Sequence, residues 1–213
     1  MSADKFIVFI VDDDPRVREA LTELLEAIGW RSAAFGSAGE YLSFPRPPLP
    51  ACLILDVELP DINGLEFQKQ ISDGDHPPIV FLTGHGDIPS SVRAIKHGAV
   101  DFLTKPVTEQ SLLTAIQSAI ERDRIAREER AEFETLQRRL DSLTPREREV
   151  LPLVVSGLLN KQAAKELGIS DVTLQIHRSK IMQKMEAASL ADLVRFAEKL
   201  RIPIRHSRRM GNS

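Results

Sequence analysis

Two apolar runs in the first third of this chain end in carboxylates. Phe6 to Val11 leads into Asp12-Asp13-Asp14, and Cys52-Leu53-Ile54-Leu55 leads into Asp56. Two later runs end differently: Ile79-Val80-Phe81-Leu82 reaches Thr83, and Val100-Asp101-Phe102-Leu103-Thr104 reaches Lys105-Pro106. Carboxylates, a hydroxyl and a lysine at strand ends could hold a divalent metal and a phosphoryl group. Asp13 and Asp56 are oxygen ligands of the kind Mg²⁺ takes, or Mn²⁺ in its place, and Asp12 could hold a metal-bound water. Asp56 is then the candidate nucleophile, because a carboxylate can accept a phosphoryl group. Thr83 and Lys105 would contact phosphoryl oxygens and offset developing charge. Singly, each residue has a plainer reading: an aspartate at a strand end as a turn former or cap, Lys105 as a solvated lysine, Thr83 before Gly84 as a turn residue. Together they close different strands of one alternating pattern, which coincidence explains poorly.

The elements that must position them alternate. Strand-like runs at Phe6–Val11, Arg31–Phe35, Cys52–Leu55, Ile79–Leu82 and Val100–Leu103 are separated by helical patterns. Pro15 opens the first helix, where its missing N–H costs nothing. Val17, Leu21, Leu24, Leu25 and Ile28 follow at helical spacing, and Gly29 stops it. Ser37-Ala38-Gly39-Glu40 reads as a capping box. Gly64 to Ile71, Ile88 to His97 and Glu109 to Ile120 supply three more helices. Five strands alternating with five helices predict an α/β fold, a five-stranded doubly wound parallel sheet. In such a sheet chemistry gathers at the carboxyl ends of the strands.

The charge is uneven. Of 213 residues, 1–142 carry 15 Lys+Arg against 24 Asp+Glu, a net −9, while 143–213 carry 13 against 7, a net +6. An acidic front and a basic back predict two domains with different partners, the second a polyanion such as nucleic acid. No apolar stretch approaches the ~20 residues of a membrane span, and the N-terminus lacks a signal-peptide pattern. Cys52 is the single cysteine, so no internal disulfide forms and a cytoplasmic location is expected. Its apolar setting predicts a buried thiol.

The expected divisions are 1–120 for the sheet domain, 121–142 for a helical linker, 143–204 for an all-α four-helix domain, and 205–213 for a basic tail. Between Glu121 and Arg139 six acids and six arginines lie without Gly or Pro, which predicts a solvated helix with i,i+4 pairs. Phe133, Leu136, Leu140 and Leu143 form a short apolar seam, either packed on its own domain or paired between two subunits. Thr144-Pro145-Arg146-Glu147 is a strong helix start. Helices then follow to Ser156, over Asn160–Leu167, from Asp171 to about Met185, and from a Ser189 cap to about Leu200. Two of them joined by Gly168-Ile169-Ser170 describe a helix-turn-helix. In its second helix Leu174, Ile181 and Met185 face inward, and His177 shares that stripe, which favours packing. Gln175, Ile176, Arg178 and Ser179 face outward or sideways, where glutamine can read adenine, arginine guanine, and an apolar group a thymine methyl. Lys161, Thr173, Lys180 and Lys184 are better placed for phosphates; for any one of the lysines a solvated face is the plainer reading.

Residues 6–122 resemble the receiver domain of two-component response regulators. The matching stretches are Phe9-Ile10-Val11-Asp12-Asp13-Asp14, Leu55-Asp56-Val57-Glu58-Leu59-Pro60 with Gly64 following, Leu82-Thr83-Gly84-His85-Gly86-Asp87, and Lys105-Pro106. Residues 144–200 resemble the LuxR-type helix-turn-helix through Leu143-Thr144-Pro145-Arg146-Glu147, Asn160-Lys161 and Glu166-Leu167-Gly168-Ile169-Ser170. The whole chain is similar to FixJ-type regulators, and His85-Gly86-Asp87-Ile88-Pro89 with Ile181-Met182-Gln183-Lys184-Met185 to the branch governing aromatic-hydrocarbon catabolism. The resemblance implies that Asp56 accepts phosphate from a sensor histidine kinase. It implies that Asp12, Asp13, Asp56 and the Glu58 backbone carbonyl hold Mg²⁺, that Thr83 and Phe102 form a switch pair, and that Lys105-Pro106 is cis. It further implies a homodimer on phosphorylation, promoter DNA and RNA polymerase as partners, and no membrane. Departures are Ala163 where the family usually has Ile, Leu174 for the commoner Val, and Gln175 where Lys or Glu is common.

The switch follows from charge: a phosphoryl group brings about −1.5 to −2, Thr83 moves toward it, and Phe102 turns into the space left. Phe102 as core in both states is the alternative. His85 and His97 lack partners at metal-ligand spacing and read as surface residues. Two rivals stand beside a phosphorylation-controlled regulator. A Mg²⁺-dependent phosphatase gives no reason for the helix-turn-helix, and a DNA-binding regulator with an unused receiver switch predicts no response to phosphorylation. Self-phosphotransfer aside, no enzyme activity is expected.

Overall fold

The computed structural model describes residues 6–71, 76–84 and 88–203. The chain divides into two compact units, residues 1–127 and 128–213.

The first unit alternates β1 (Ile7–Val11), α1 (Pro15–Ala27), β2 (Ser32–Phe35), α2 (Ala38–Ser43), β3 (Ala51–Leu55), α3 (Gly64–Ile71), β4 (Ile79–Thr83), α4 (Ile88–Lys96), β5 (Asp101–Thr104) and α5 (Glu109–Asp141). The five strands pair in parallel in the order β2-β1-β3-β4-β5. β1, β3 and β4 are buried at every residue, which is why they read as unbroken apolar runs instead of alternating ones. Their side chains divide by parity between two cores. Phe9, Leu53, Leu55 and Phe81 pack on one face; Val8, Ile10, Ile54, Val80 and Leu82 pack on the other with Leu112, Ile116 and Ile120 of α5. Trp30 is core, edge-on to Phe6 at 5.2 Å. Cys52 is fully buried, and burial pushes its thiol pKa up.

Local signals are met with one correction. Ser37 accepts from the Glu40 N–H at 3.2 Å, but the Glu40 carboxylate takes the N–H of Gly36, not of Ser37, so the expected box is only half closed. The linker is helical, as expected, and no break separates it from residues 109–120: α5 is one helix of 33 residues. Asp123 ties this part of the helix to the sheet. It is buried, its Oδ2 accepting from the Ala51 N–H at 2.8 Å and from Arg127 Nε at 2.7 Å. A residue expected on a solvated face thus fastens the helix to the start of β3.

The second unit holds the end of α5 and four further helices: α6 (Pro145–Val155), α7 (Asn160–Leu167), α8 (Asp171–Lys184) and α9 (Leu190–Lys199). Thr144 and Glu147 close a reciprocal capping box at α6. Gly168 ends α7 in the left-handed region at φ +65°, a conformation that costs a glycine nothing, and Ser170 caps α8. The core gathers Val150, Leu151, Val154, Leu174, Ile181, Met185 and Leu193. Leu143 belongs to it, Leu140 packs against it and Leu136 is buried, so Phe133 alone of the apolar seam is exposed. Ala163 is buried there. Among the described residues no helix is long and apolar enough to cross a membrane.

Candidate functional site

Register brings the carboxylates together. Val11 pairs with Leu55, and the N–H of Asp56 donates to the carbonyl of Val11 at 2.9 Å. Asp12 and Asp56 therefore leave adjacent strands at one level. Thr83 is opposite Thr104, the Lys105 N–H donates to the Thr83 carbonyl at 2.8 Å, and the Lys105-Pro106 bond is cis. All four residues stand at the carboxyl edge of the sheet.

Lys105 reaches across this edge. Its Nζ donates to Asp12 Oδ2 at 2.6 Å and to Asp56 Oδ2 at 2.8 Å. Asp12 and Asp56 are only 2 % and 6 % exposed; Asp13 faces solvent. One carboxylate oxygen from each of the three lies within 4.8 Å of the others. Burial pushes the Asp12 carboxyl up, against the hydrogen bond from Lys105. At Lys105 burial lowers the ammonium pKa, but the two carboxylates outweigh it and the pKa rises. Three carboxyl groups gather around one ammonium, in a cluster of oxygen donors with two members buried. This donor set fits a small divalent cation that prefers oxygen and tolerates water in its shell.

The backbone around the pocket is tied down. Asp12 Oδ1 accepts from the Asp14 N–H, and Asp14 caps α1 by accepting from the Arg16 N–H. Arg18, one turn further, donates from one guanidinium nitrogen to the carbonyls of Asp12 at 2.7 Å and Asp13 at 2.9 Å. The Glu58 N–H donates to Asp56 Oδ1 at 3.2 Å, and Glu58 bridges to Asn63. Nothing in residue spacing singled out Arg18; the signal available was a cation one turn into the helix that follows the acidic loop.

Thr83 is fully buried. Phe102 is half-buried, 5.8 Å from Phe81, and borders a surface groove with Ser91, Val92 and Ile95 of α4. His97 is exposed, its ring bonded to the Arg93 carbonyl; His85 lies outside the described residues, as does the tail 205–213.

In the helix-turn-helix, Leu174, Ile181 and Met185 are buried as expected. Gln175, Ile176, Ser179, Lys180 and Lys161 are exposed, and Thr173 is half-buried. Arg178 donates to Asn160 Oδ1 at 3.0 Å. His177 is half-buried, and its Nδ1 has no partner among the described residues. Lys184 differs from expectation: its Nζ is held at 2.7 Å by the buried Glu147 carboxylate and at 3.2 Å by the Ser142 carbonyl. It neutralises a charge inside the unit and does not stand out toward a phosphate. Val172, which the spacing argument passed over, is among the most exposed large apolar residues, at 68 %.

Comparison with known proteins agrees with this division. Residues 8–117 match the response regulator receiver domain, and residues 141–197 match the bacterial regulatory proteins of the luxR family. Nodulation protein W of Bradyrhizobium diazoefficiens is 47% identical over 207 residues, covering 97% of this chain and 91% of that protein. Response regulator protein TodT of Pseudomonas putida is 44% identical, covering 94% and 89%. Among solved structures, response regulator StyR is similar at a TM-score of 0.80 with 46% identity, covering 92% of this chain and 99% of that one. Full-length FixJ from B. japonicum is similar at a TM-score of 0.54 with 36% identity, covering 95% and 100%. The chain belongs to the response regulators that join a receiver domain to a LuxR-type DNA-binding domain, and these are regulators of transcription.

Proposed function

We propose that Asp56 is the phosphoacceptor, that a sensor histidine kinase is the donor, and that the phosphorylated chain dimerises and binds promoter DNA through α8 to act on RNA polymerase. The observation that carries the reading is Lys105 Nζ, placed on both Asp12 and Asp56 at the carboxyl edge of the sheet.

A carboxylate oxygen of Asp56 attacks the phosphorus of a phosphohistidine. A P–O bond forms, the P–N bond breaks, and its electron pair leaves with the imidazole. Asp12, Asp13, Asp56 and the Glu58 backbone carbonyl would hold Mg²⁺ or Mn²⁺, whose positive charge lowers the repulsion between carboxylates and phosphoryl oxygens. Lys105 already touches the Asp56 carboxylate, so it needs little movement to pair with a phosphoryl oxygen where charge develops. Arg18 fixes the loop that carries Asp12 and Asp13. After transfer the site bears extra negative charge, Thr83 turns its hydroxyl toward it, and Phe102 packs into the vacated volume. Phe102 has no hydroxyl to leave unsatisfied, which favours inward packing. The α4 and β5 surface beside it then changes shape, a local charge event biasing a two-state element.

In the second unit Gln175, Ile176 and Ser179 face the bases, with Lys161, Thr173 and Lys180 on phosphates. The test is intact-mass measurement after incubation with Mg²⁺ and acetyl phosphate. Wild type gains one phosphoryl group and Asp56→Ala gains none; equal labelling of both would refute the assignment.

A further inference from the structure

The exposed stripe of α8 has a composition that the DNA binding proposed above does not by itself explain. Residues 172, 175, 176 and 179 fall at i, i+3, i+4 and i+7, the spacing of one helix face, and Val172, Gln175, Ile176 and Ser179 are all exposed. The opposite stripe, Leu174, Ile181 and Met185, is buried in the unit's core. Two of the four outward residues are large and apolar: Val172 is 68 % exposed and Ile176 51 %. A single exposed aliphatic needs no explanation. Two side by side at i,i+4 on a helix whose core face is already filled do call for one.

The occupant is set by charge. The C-terminal segment 143–213 has a net charge of +6. Asp171 is the single acid of α8, against Arg178 and Lys180, with Lys184 already paired to Glu147. An apolar ridge with cations beside it suits a polyanion that also offers apolar groups. In a DNA major groove the only such group is the C5-methyl of thymine. We infer that Val172 and Ile176 form a methyl-reading pair, so the half-site presents thymines to both. Cβ atoms at i and i+4 lie roughly 5–6 Å apart, more than the ~3.4 Å rise of one base pair. The two methyls therefore sit one or two base steps apart. Gln175, between them on the stripe, is left to pair with an adenine edge. The inference rests on α8 being the groove-facing helix.

The full chain, phosphorylated with acetyl phosphate and Mg²⁺, is used to select its site from a random duplex library. Dissociation constants are then measured with each thymine of that site replaced in turn by uracil, which lacks the methyl. At two thymines one or two steps apart, wild type is expected to weaken roughly fourfold each, the loss of about one buried methyl. Val172→Ala should abolish the sensitivity at one of them and Ile176→Ala at the other, with binding to uracil-containing DNA otherwise retained. Uracil substitution that leaves wild type unaffected, or losses that persist in both variants, would overturn the methyl-reading pair while leaving α8 as the reading helix. If substitutions on α8 change neither the selected sequence nor the affinity, the underlying assignment of α8 fails and the pair fails with it.

Discussion

A β-carbon placed on Gly64 would fall 2.2 Å from the carbonyl oxygen of Asp56. The start of α3 thus packs directly on the backbone of the proposed phosphoacceptor, and the Gly64 N–H donates to the Val57 carbonyl at 2.8 Å. The obstacle is backbone, so a side chain at 64 cannot be accommodated by a rotamer change. Gly64→Ala is expected to cost roughly 1–3 kcal/mol of stability, the usual range for overpacking, and to slow labelling of Asp56 by displacing its loop. Urea unfolding and the rate of acetyl phosphate labelling check the two effects. An unchanged rate with unchanged stability would show that the contact yields freely.

Arg18 binds two carbonyls of the acidic loop. Its loss removes hydrogen bonds from a charged donor, worth about 1.5–3 kcal/mol. Part of that should appear as weaker Mg²⁺ binding, roughly tenfold for each 1.4 kcal/mol, read by titration calorimetry. Saturating Mg²⁺ should restore the labelling rate of Arg18→Ala. A rate that stays low at saturation would assign Arg18 to chemistry instead of loop position.

The sheet was legible in the sequence because its central strands are buried on both faces and end in chemically distinct residues. Asp12, Asp56, Thr83 and Lys105 each close a strand, and parallel register does the rest. The single helix through residues 109–141 was not legible. Its second half is so charged that it reads as solvated, and only the tertiary contact of Asp123 with Ala51 shows where it is anchored. The pairing of Lys184 was hidden for the same reason. A lysine near a helix end looks free until its partner, Glu147, proves to be 37 residues away and buried.

That ion pair predicts an acid sensitivity. Burial alone pushes the Glu147 carboxyl up, but hydrogen bonds from Lys184 and the Thr144 N–H outweigh it and hold it below the ordinary range. A carboxyl depressed in the folded state gives stability that is present above its unfolded pKa, ~4.3, and lost as pH falls through the lower folded value. Stability should therefore drop with acid below about pH 4, and drop less steeply in Glu147→Gln. Lys184→Met should cost about 1–3 kcal/mol at neutral pH by stranding the carboxylate. Its DNA affinity should keep the salt dependence of wild type. Calorimetry across pH and a salt titration of DNA binding measure these.

Leu159 occupies the N-cap of α7 with no side-chain cap, 69 % exposed. The Gln162 side chain takes the Leu159 N–H at 3.0 Å, but no group at 159 serves the first turn. Leu159→Ser should raise stability by about 1 kcal/mol, visible as a higher denaturation midpoint. A lower midpoint would mean that Leu159 contributes packing the exposed surface does not suggest.

In the proposed switch, charge placed on Asp56 controls assembly and DNA binding. Sedimentation with Mg²⁺, with and without acetyl phosphate, beside Asp56→Ala, tests it most directly. Wild type alone is expected to shift from monomer to dimer on phosphorylation. If both proteins sediment alike under both conditions, the acidic pocket does not control assembly and Asp56 is not the switch.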